Sequence, residues 1–400
     1  MTEKTTTMHV VPFHISIGSE DNVTFALYIS TPTKTFATPV TIPDEIIQLG
    51  IRLLQPHNME PLGDAGALGR TLGGILFPAV VRDLLISSAR EANSENGRIQ
   101  IQLQIAVPEL AALPWEWAVI EGTRSWVPSV NEDYGVVRLS SVTEPAPPIG
   151  VDGPLQVLMC VPPNQKSEYS AIHTLLQNEI AEQRIHITII EIHGLADLNN
   201  TLSREVYHVV HLVGDVTLNH EQYMNITFGT EIDVFELQEV LSTYSDIGLV
   251  CVTCGGLEEP QIRAIPQIFA ALLLSRTINA AITFSGVSSP DIIVRFAATC
   301  YNAIIDDIPL DLAVTRGRRA LTSGRRDTSW GLPQLRIVPG TDRLFLFEPP
   351  RDPWRWIWSV TAVVGIAAAI IGAILLGRFL VEGSTPLDTP PTIIMPTPEL

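Results

Sequence analysis

From residue 151 on, the chain alternates between short runs of apolar and β-branched residues and longer stretches with helical spacing. Strand-like runs are expected at Leu155–Val161, Ile185–Ile192, Val206–Val213, Ile247–Cys254 and Ile278–Phe284. Helical patterns alternate with them at Tyr169–Gln183, Leu195–Arg204, Val234–Thr243, Ile262–Arg276 and Asp291–Ile305. Few architectures accept that order. It predicts an α/β fold, with a mainly parallel sheet carrying helices on both faces. Strands apolar on both sides, as these are, belong to the buried middle of such a sheet.

One run stands out chemically. Ile247-Gly248-Leu249-Val250-Cys251-Val252-Thr253-Cys254 is closed by Gly255 and Gly256, so the strand ends at a turn with Cys254 at its carboxyl end. Open α/β sheets place ligands and nucleophiles at that edge. Side chains alternate along a strand, so Leu249, Cys251 and Thr253 share one face and Val250, Val252 and Cys254 the other. A second run, Tyr207 to Gly214, delivers Asp215 to the same edge.

The region before residue 150 is mixed α+β. His9 to Ile17 and Val23 to Ile29 read as a hairpin joined by Gly18-Ser19-Glu20-Asp21-Asn22. Helical patterns follow near Asp44–Leu54 and Leu68–Glu91, then strand-like runs at Arg98–Ala106 and Val136–Leu139. Glu144-Pro145-Ala146-Pro147-Pro148-Ile149-Gly150 reads as a linker. After the alternating region come a helix over Leu310–Thr322 and strand-like runs at Leu332–Val338 and Arg343–Phe347.

Composition sets further bounds. A hydrophobic share of 46% in 400 residues supports a packed core, which excludes a wholly disordered chain. The formal net charge of −18 excludes non-specific nucleic-acid binding, which needs basic surface; it suits a basic partner or plain solubility. Cys160, Cys251, Cys254 and Cys300 are scattered through apolar segments rather than arranged as a disulfide framework, which points to a reducing compartment. The Cys251–Cys254 spacing has no second pair of ligands, and alternation sends the two thiols to opposite faces. No metal and no cofactor is expected.

The far end differs. From Ile357 to Gly377 no residue is charged, and a helix of that length spans about 30 Å of hydrocarbon. Trp354, Trp356 and Trp358 stand where an interfacial aromatic belt belongs. Arg343, Arg351 and Arg355 precede the run and Arg378 follows it, so the bulk of the chain is expected in the cytoplasm and the short tail across the membrane. Gly365, Ala369, Ala373 and Gly377 make a small-residue stripe suited to pairing with a second copy as a homodimer. Residues 349–356 form a proline-rich spacer, and the Pro/Thr-rich 378–400 is expected to be disordered.

The soluble part resembles the CHAT family, caspase-like domains often found beside tetratricopeptide repeats. Leu113-Pro114-Trp115-Glu116 is similar to its LPWE motif, with Arg138 as the arginine of the next strand. Val209 to Gly214 is similar to the block that ends Gly-His-Gly, and Leu249 to Gly256 to the strand that ends Ala-Cys. Ala264-Ile265-Pro266, Ala280–Phe284, Phe296–Tyr301, Leu312 to Arg316 and Trp330-Gly331-Leu332-Pro333 follow in the family's order. The match covers roughly residues 60–345. It divides the chain into an N-terminal β-rich region (1–59), the N-terminal part of the CHAT domain (60–150) and its caspase-like α/β part (151–348), ahead of the spacer, a transmembrane helix (357–377) and the tail. It implies a caspase-like fold and, in intact members, a cysteine-peptidase dyad.

Carried over by position, the nucleophile is Cys254, but Asp215 stands where the base histidine belongs and Val216 where the next glycine does. A carboxylate near pKa 3.9 is about 4.6 units too weak to take the proton of a thiol near 8.5, an uphill transfer of roughly 6 kcal/mol. Ionised, it would also suppress the thiolate. His211 shares the face of Val213 and Asp215 but lies two residues back, roughly 6.6 Å deeper into the sheet, and reads as a hydrogen-bonded core histidine. His220, in the loop beyond, is a candidate substitute base. Gly255 and Gly256 are candidate oxyanion N–H donors or simply a turn. Trp115 and Glu116 read as a packed aromatic and a structural carboxylate. Arg318, Arg319, Arg325 and Arg326 read as a solvated helix face or a patch for anionic headgroups. The expectation is a degenerate, membrane-anchored pseudopeptidase working through protein–protein contacts in bacterial signalling; the alternative is an active cysteine endopeptidase built on Cys254 with an unorthodox base.

Overall fold

A computed structural model describes residues 9–19, 24–55, 62–122, 124–142, 144–218, 224–255, 258–273, 277–286, 288–323, 328–341 and 343–347. The candidate base His220, Gly256, the span 357–377 with its small-residue stripe, the spacer and the tail lie outside the described residues. In chain order the first strands are β1 (His9–Ser19), β2 (Thr24–Ser30), β3 (Thr35–Thr41), β4 (Gly97–Ile105), β5 (Tyr134–Leu139), β6 (Ile149–Val151) and β7 (Leu155–Val161). They are followed by β8 (Ile185–Glu191), β9 (Val209–Leu218), β10 (Met224–Thr227), β11 (Glu231–Asp233), β12 (Leu249–Gly255), β13 (Ala280–Phe284), β14 (Pro333–Ile337) and β15 (Phe345–Phe347). The longer helices are α1 (Asp44–Leu53), α2 (Leu62–Leu76), α3 (Ala79–Ser94), α4 (Leu195–Leu202), α5 (Val234–Ser242), α6 (Glu259–Leu272), α7 (Pro290–Ile305) and α8 (Leu310–Ala320).

One sheet runs through the described residues in the order β11-β10-β9-β12-β13-β14-β5-β4-β1-β2-β3, with β7 and β8 attached to β9. Strands β8, β7, β9, β12 and β13 are mutually parallel, and so are β14, β5, β4 and β1; the two sets meet antiparallel at β13–β14. The mixed sheet therefore crosses the expected boundaries at 59/60 and 150/151. Its middle strands are apolar on both faces because helices cover both, and Val209, Val210, Leu249, Val250, Ala280 and Ala281 are wholly buried.

The expected strands recur within a few residues, and Leu155–Val161 matches at both ends. Differences have local causes. The pattern at Leu68–Glu91 is two helices bent by 82° across Phe77 and Pro78, because proline lacks the N–H and clashes with a continuing helix. Tyr169–Gln183 is three short helical pieces jointed at Ser170 and Leu176. The linker is partly strand: Ile149 begins β6, and Ala146 is clasped by the Asn279 side chain through both its N–H and its C=O. No single helix among the described residues is long and apolar enough to cross a membrane; the bent pair α2–α3 passes by composition alone, with Leu68, Leu72, Val81 and Leu85 in the core.

Candidate functional site

The β9–β12 ladder sets the geometry. Its parallel register pairs Leu249 with Val209 and proceeds through Cys251–His211 to Thr253–Val213, Cys254–Gly214 and Gly255–Asp215. Cys254 is thus the penultimate residue of β12, at the carboxyl edge. The residue across from it is Gly214; Asp215 stands one row further on. Successive rows of a pleated sheet belong to opposite faces.

Strand β9 does not stop at Asp215. Val216, Thr217 and Leu218 continue it by pairing antiparallel with β10, so Asp215 sits between Gly255 on one side and Thr227 on the other. The apolar Val216 earns this continuation by being buried. Asp215 itself is exposed. Burial, then the charges of Glu168 and Asp215, push the Tyr169 hydroxyl up to about 12. Gly214 has no room for a side chain: a Cβ there would lie 2.8 Å from the Thr227 carbonyl and 3.1 Å from both Ile226 and Phe228.

The histidine nearest in sequence is sealed. His211 is 1% exposed, with Nδ1 2.8 Å from the Tyr301 hydroxyl and Nε2 3.4 Å from Thr253 Oγ1. Tyr301 also donates to Cys251 Sγ, and Thr253 Oγ1 donates to the Leu212 carbonyl, so both ring nitrogens of His211 sit in a closed buried network. Burial lowers the imidazole to about 3. Its row is that of Cys251, three before Cys254. His208, discounted from the sequence, is buried near the opposite end of the strand, where Nδ1 accepts from the Gln156 N–H at 3.0 Å.

The other thiols are inert. Cys160, Cys251 and Cys300 are buried, and burial raises all three, Cys251 to about 12 against the pull of Tyr301. No group of three or more His, Cys, Asp or Glu suited to a metal ion occurs among the described residues.

Elsewhere in the fold, the Trp-rich segments at 113–117 and 330–333 come together. Trp117 Nε1 donates to the Thr328 carbonyl, and a Cβ on Gly331 would fall inside the Trp117 indole, so a glycine is needed there. Glu116 is buried and takes a two-pronged hydrogen bond from Arg138, at 3.0 and 2.7 Å; Arg138 also donates to the carbonyls of Ala111 and Leu113. Arg318 lies 3.9 Å from the same carboxylate and donates to the carbonyls of Pro333 and Val136. This corrects the expected solvated or lipid-facing cluster: Arg318 is wholly buried, its pKa lowered to about 10 by burial against the pull of Glu116, while Arg319 is exposed and pairs with Glu132. Arg325 and Arg326 lie outside the described residues. Thr283 and Gln334, paired across β13–β14 in the row of Val252, are buried, and neither Thr283 Oγ1 nor Gln334 Nε2 has a hydrogen-bond partner among the described residues.

No protein-family model and no curated protein matches the chain. Among solved structures it is similar to a chain in each of two crystal structures of the Saccharomyces cerevisiae separase–securin complex. The TM-scores are 0.35 and 0.34, the identities 10% and 11%, and the matches cover 77% and 80% of this chain. It spans about a fifth of the length of those chains, 21% in both cases.

Proposed function

We propose that the chain is a membrane-anchored CHAT-domain protein of caspase-like fold whose peptidase chemistry is lost and which acts by binding partner proteins in signalling. The observation that carries this reading is the surroundings of Cys254 on β9: a glycine with no space for a side chain directly across, a carboxylate one row beyond, and an imidazole locked in the core three rows before. A thiol needs a base matched to its pKa to become a nucleophile at neutral pH, and none of those three positions supplies one.

The membrane reading rests on the uncharged run 357–377 and its tryptophan and arginine flanks, and pairing of two copies on the Gly365/Ala369/Ala373/Gly377 stripe. The experiment compares cleavage of a peptide library by the full-length chain and by Cys254→Ala, with both followed in membrane fractions. Identical cleavage profiles, with the chain in the membrane pellet until 357–377 is deleted, are the expected result. Cleavages present in the wild type and lost in Cys254→Ala would favour an active endopeptidase, and loss of the same cleavages in His220→Ala would name its base.

A further inference from the structure

A cavity of about 710 Å³ is walled by the first residues of β1 and β4, by Glu132 and Asp133 ahead of β5, and by the first turn of α8. That is the size of a small-molecule site. Its charged lining is mixed rather than of one sign. Arg98 pairs with Asp311, Arg316 with Glu132 and Arg343 with Asp307, and Asp133 is the lining carboxylate that none of these pairs uses. Pro309 to Leu312 belong to the wall, and no side chain caps that end of α8.

Two polar groups of this wall are left unmet. Arg98 is 2% exposed and gives Nη1 and Nη2 to the two oxygens of Asp311, at 2.6 and 2.7 Å. Gly135 makes room for the pair, because a Cβ there would lie 2.0 Å from Asp311 Oδ2. End-on pairing uses the tip of the guanidinium and leaves the edge that carries Nε–H. Nε is buried and has no hydrogen-bond partner among the described residues. Thr341 Oγ1, on a second lining residue, is buried and unpartnered in the same way. A buried donor without an acceptor is costly. Two such groups on one wall, together with an uncapped helix start, suit a ligand that brings acceptor oxygens.

We infer that this cavity binds a small zwitterion of the amino-acid class, a free amino acid or a dipeptide. Its carboxylate takes the Nε–H edge of Arg98 and the Thr341 hydroxyl. Its ammonium group lies toward Asp133, which is kept beside Arg98 because its carbonyl accepts the Ile99 N–H at 3.3 Å. A plain anion would be repelled by Asp311 and Asp133, and a plain cation would leave Arg98 Nε unmet, so a ligand with both charges fits best. The inference stands apart from the chemistry of Cys254 and holds whether or not that thiol is silent.

The test is the thermal midpoint of the full-length chain in nonionic detergent, followed by titration calorimetry, with the standard amino acids and their glycyl dipeptides added singly. Saturable binding of at least one of them is expected, and its N-acetyl amide, which lacks both charges, should not bind. Thr341→Val removes a hydroxyl that has no partner to lose, and Asp133→Asn removes the countercharge of the ammonium group. Each should weaken binding about threefold or more and leave the ligand-free midpoint unchanged. The control Glu236→Gln on α5 should change binding less than about twofold. Absence of saturable binding across the panel, equal binding of the N-acetyl amide, or unchanged affinity in both variants would overturn the proposal. If Thr341→Val lowers the ligand-free midpoint, Asp133→Asn decides.

Discussion

Cys254 is paired across the parallel β9–β12 ladder with Gly214, the one position on β9 where packing against Thr227, Ile226 and Phe228 leaves no room for a Cβ. Asp215 belongs to the next row, opposite Gly255, and is held there because β9 continues to Leu218 against β10. The paired position thus offers Cys254 no side chain, and the carboxylate one row on is the group the proposed loss of activity rests on.

Restoring the imidazole alone should not restore activity. In Asp215→His the new ring stays in the row of Gly255, fixed by the pairing of Asp215 with Thr227. The expected outcome is no gain in peptide cleavage over Cys254→Ala, measured on the same library. A gain would show that the register of β9 yields in solution.

Glu116 is in contact with two buried arginines, Arg138 and Arg318, and it also supports Arg336, which burial and then Arg138 lower to about 10. Removing it leaves the buried Arg138 guanidinium without its carboxylate partner. Glu116→Gln should cost about 3–5 kcal/mol in urea unfolding, and Glu116→Leu with Arg138→Met together should cost less than Glu116→Leu alone. A loss below about 1 kcal/mol for Glu116→Gln would mean that the backbone carbonyls hold the arginines unaided.

His211 predicts an acid limb in stability. The unfolded imidazole takes a proton near pH 6.5, the folded one not until about pH 3. The stability it contributes is complete above pH 6.5 and falls, as the pH drops toward 3, by about 1.4 kcal/mol per unit. Between pH 7.5 and 5 the wild type should lose about 2 kcal/mol more than His211→Gln, read from urea midpoints at each pH. Parallel losses in the two proteins would contradict a neutral, sealed His211.

Much of the fold was legible because the buried strands are apolar on both faces, as in Leu155–Val161 and Ala280–Phe284, and such runs have few other homes. Strands that depend on a partner were not: β3 carries Pro39 and three threonines, and β10 and β11 are only four and three residues long, so each is defined by the adjacent strand it folds back on rather than by its own pattern. At the site, the sequence placed Cys254 and Asp215 at one edge and His211 in the core. It did not show that they lie in different rows, because register is set by where β9 and β12 begin to pair. Glu116 could be read as structural, yet its arginines come from 22 residues away for Arg138 and from a separate helix for Arg318. The α8 segment, read as a solvated face, buries Arg318 because that arginine caps the Pro333 carbonyl between sheet and helix.

The central claim, that Cys254 is not an activated nucleophile, is tested most directly by the pH dependence of its alkylation. Cys160, Cys251 and Cys300 are buried, so iodoacetamide on the folded full-length chain, with Cys254→Ala as the blank, reports on Cys254. The account predicts a rate that rises about tenfold per pH unit through neutrality and levels only at about pH 8.5 or above. A rate already level below about pH 7, and lost in His220→Ala, would contradict it.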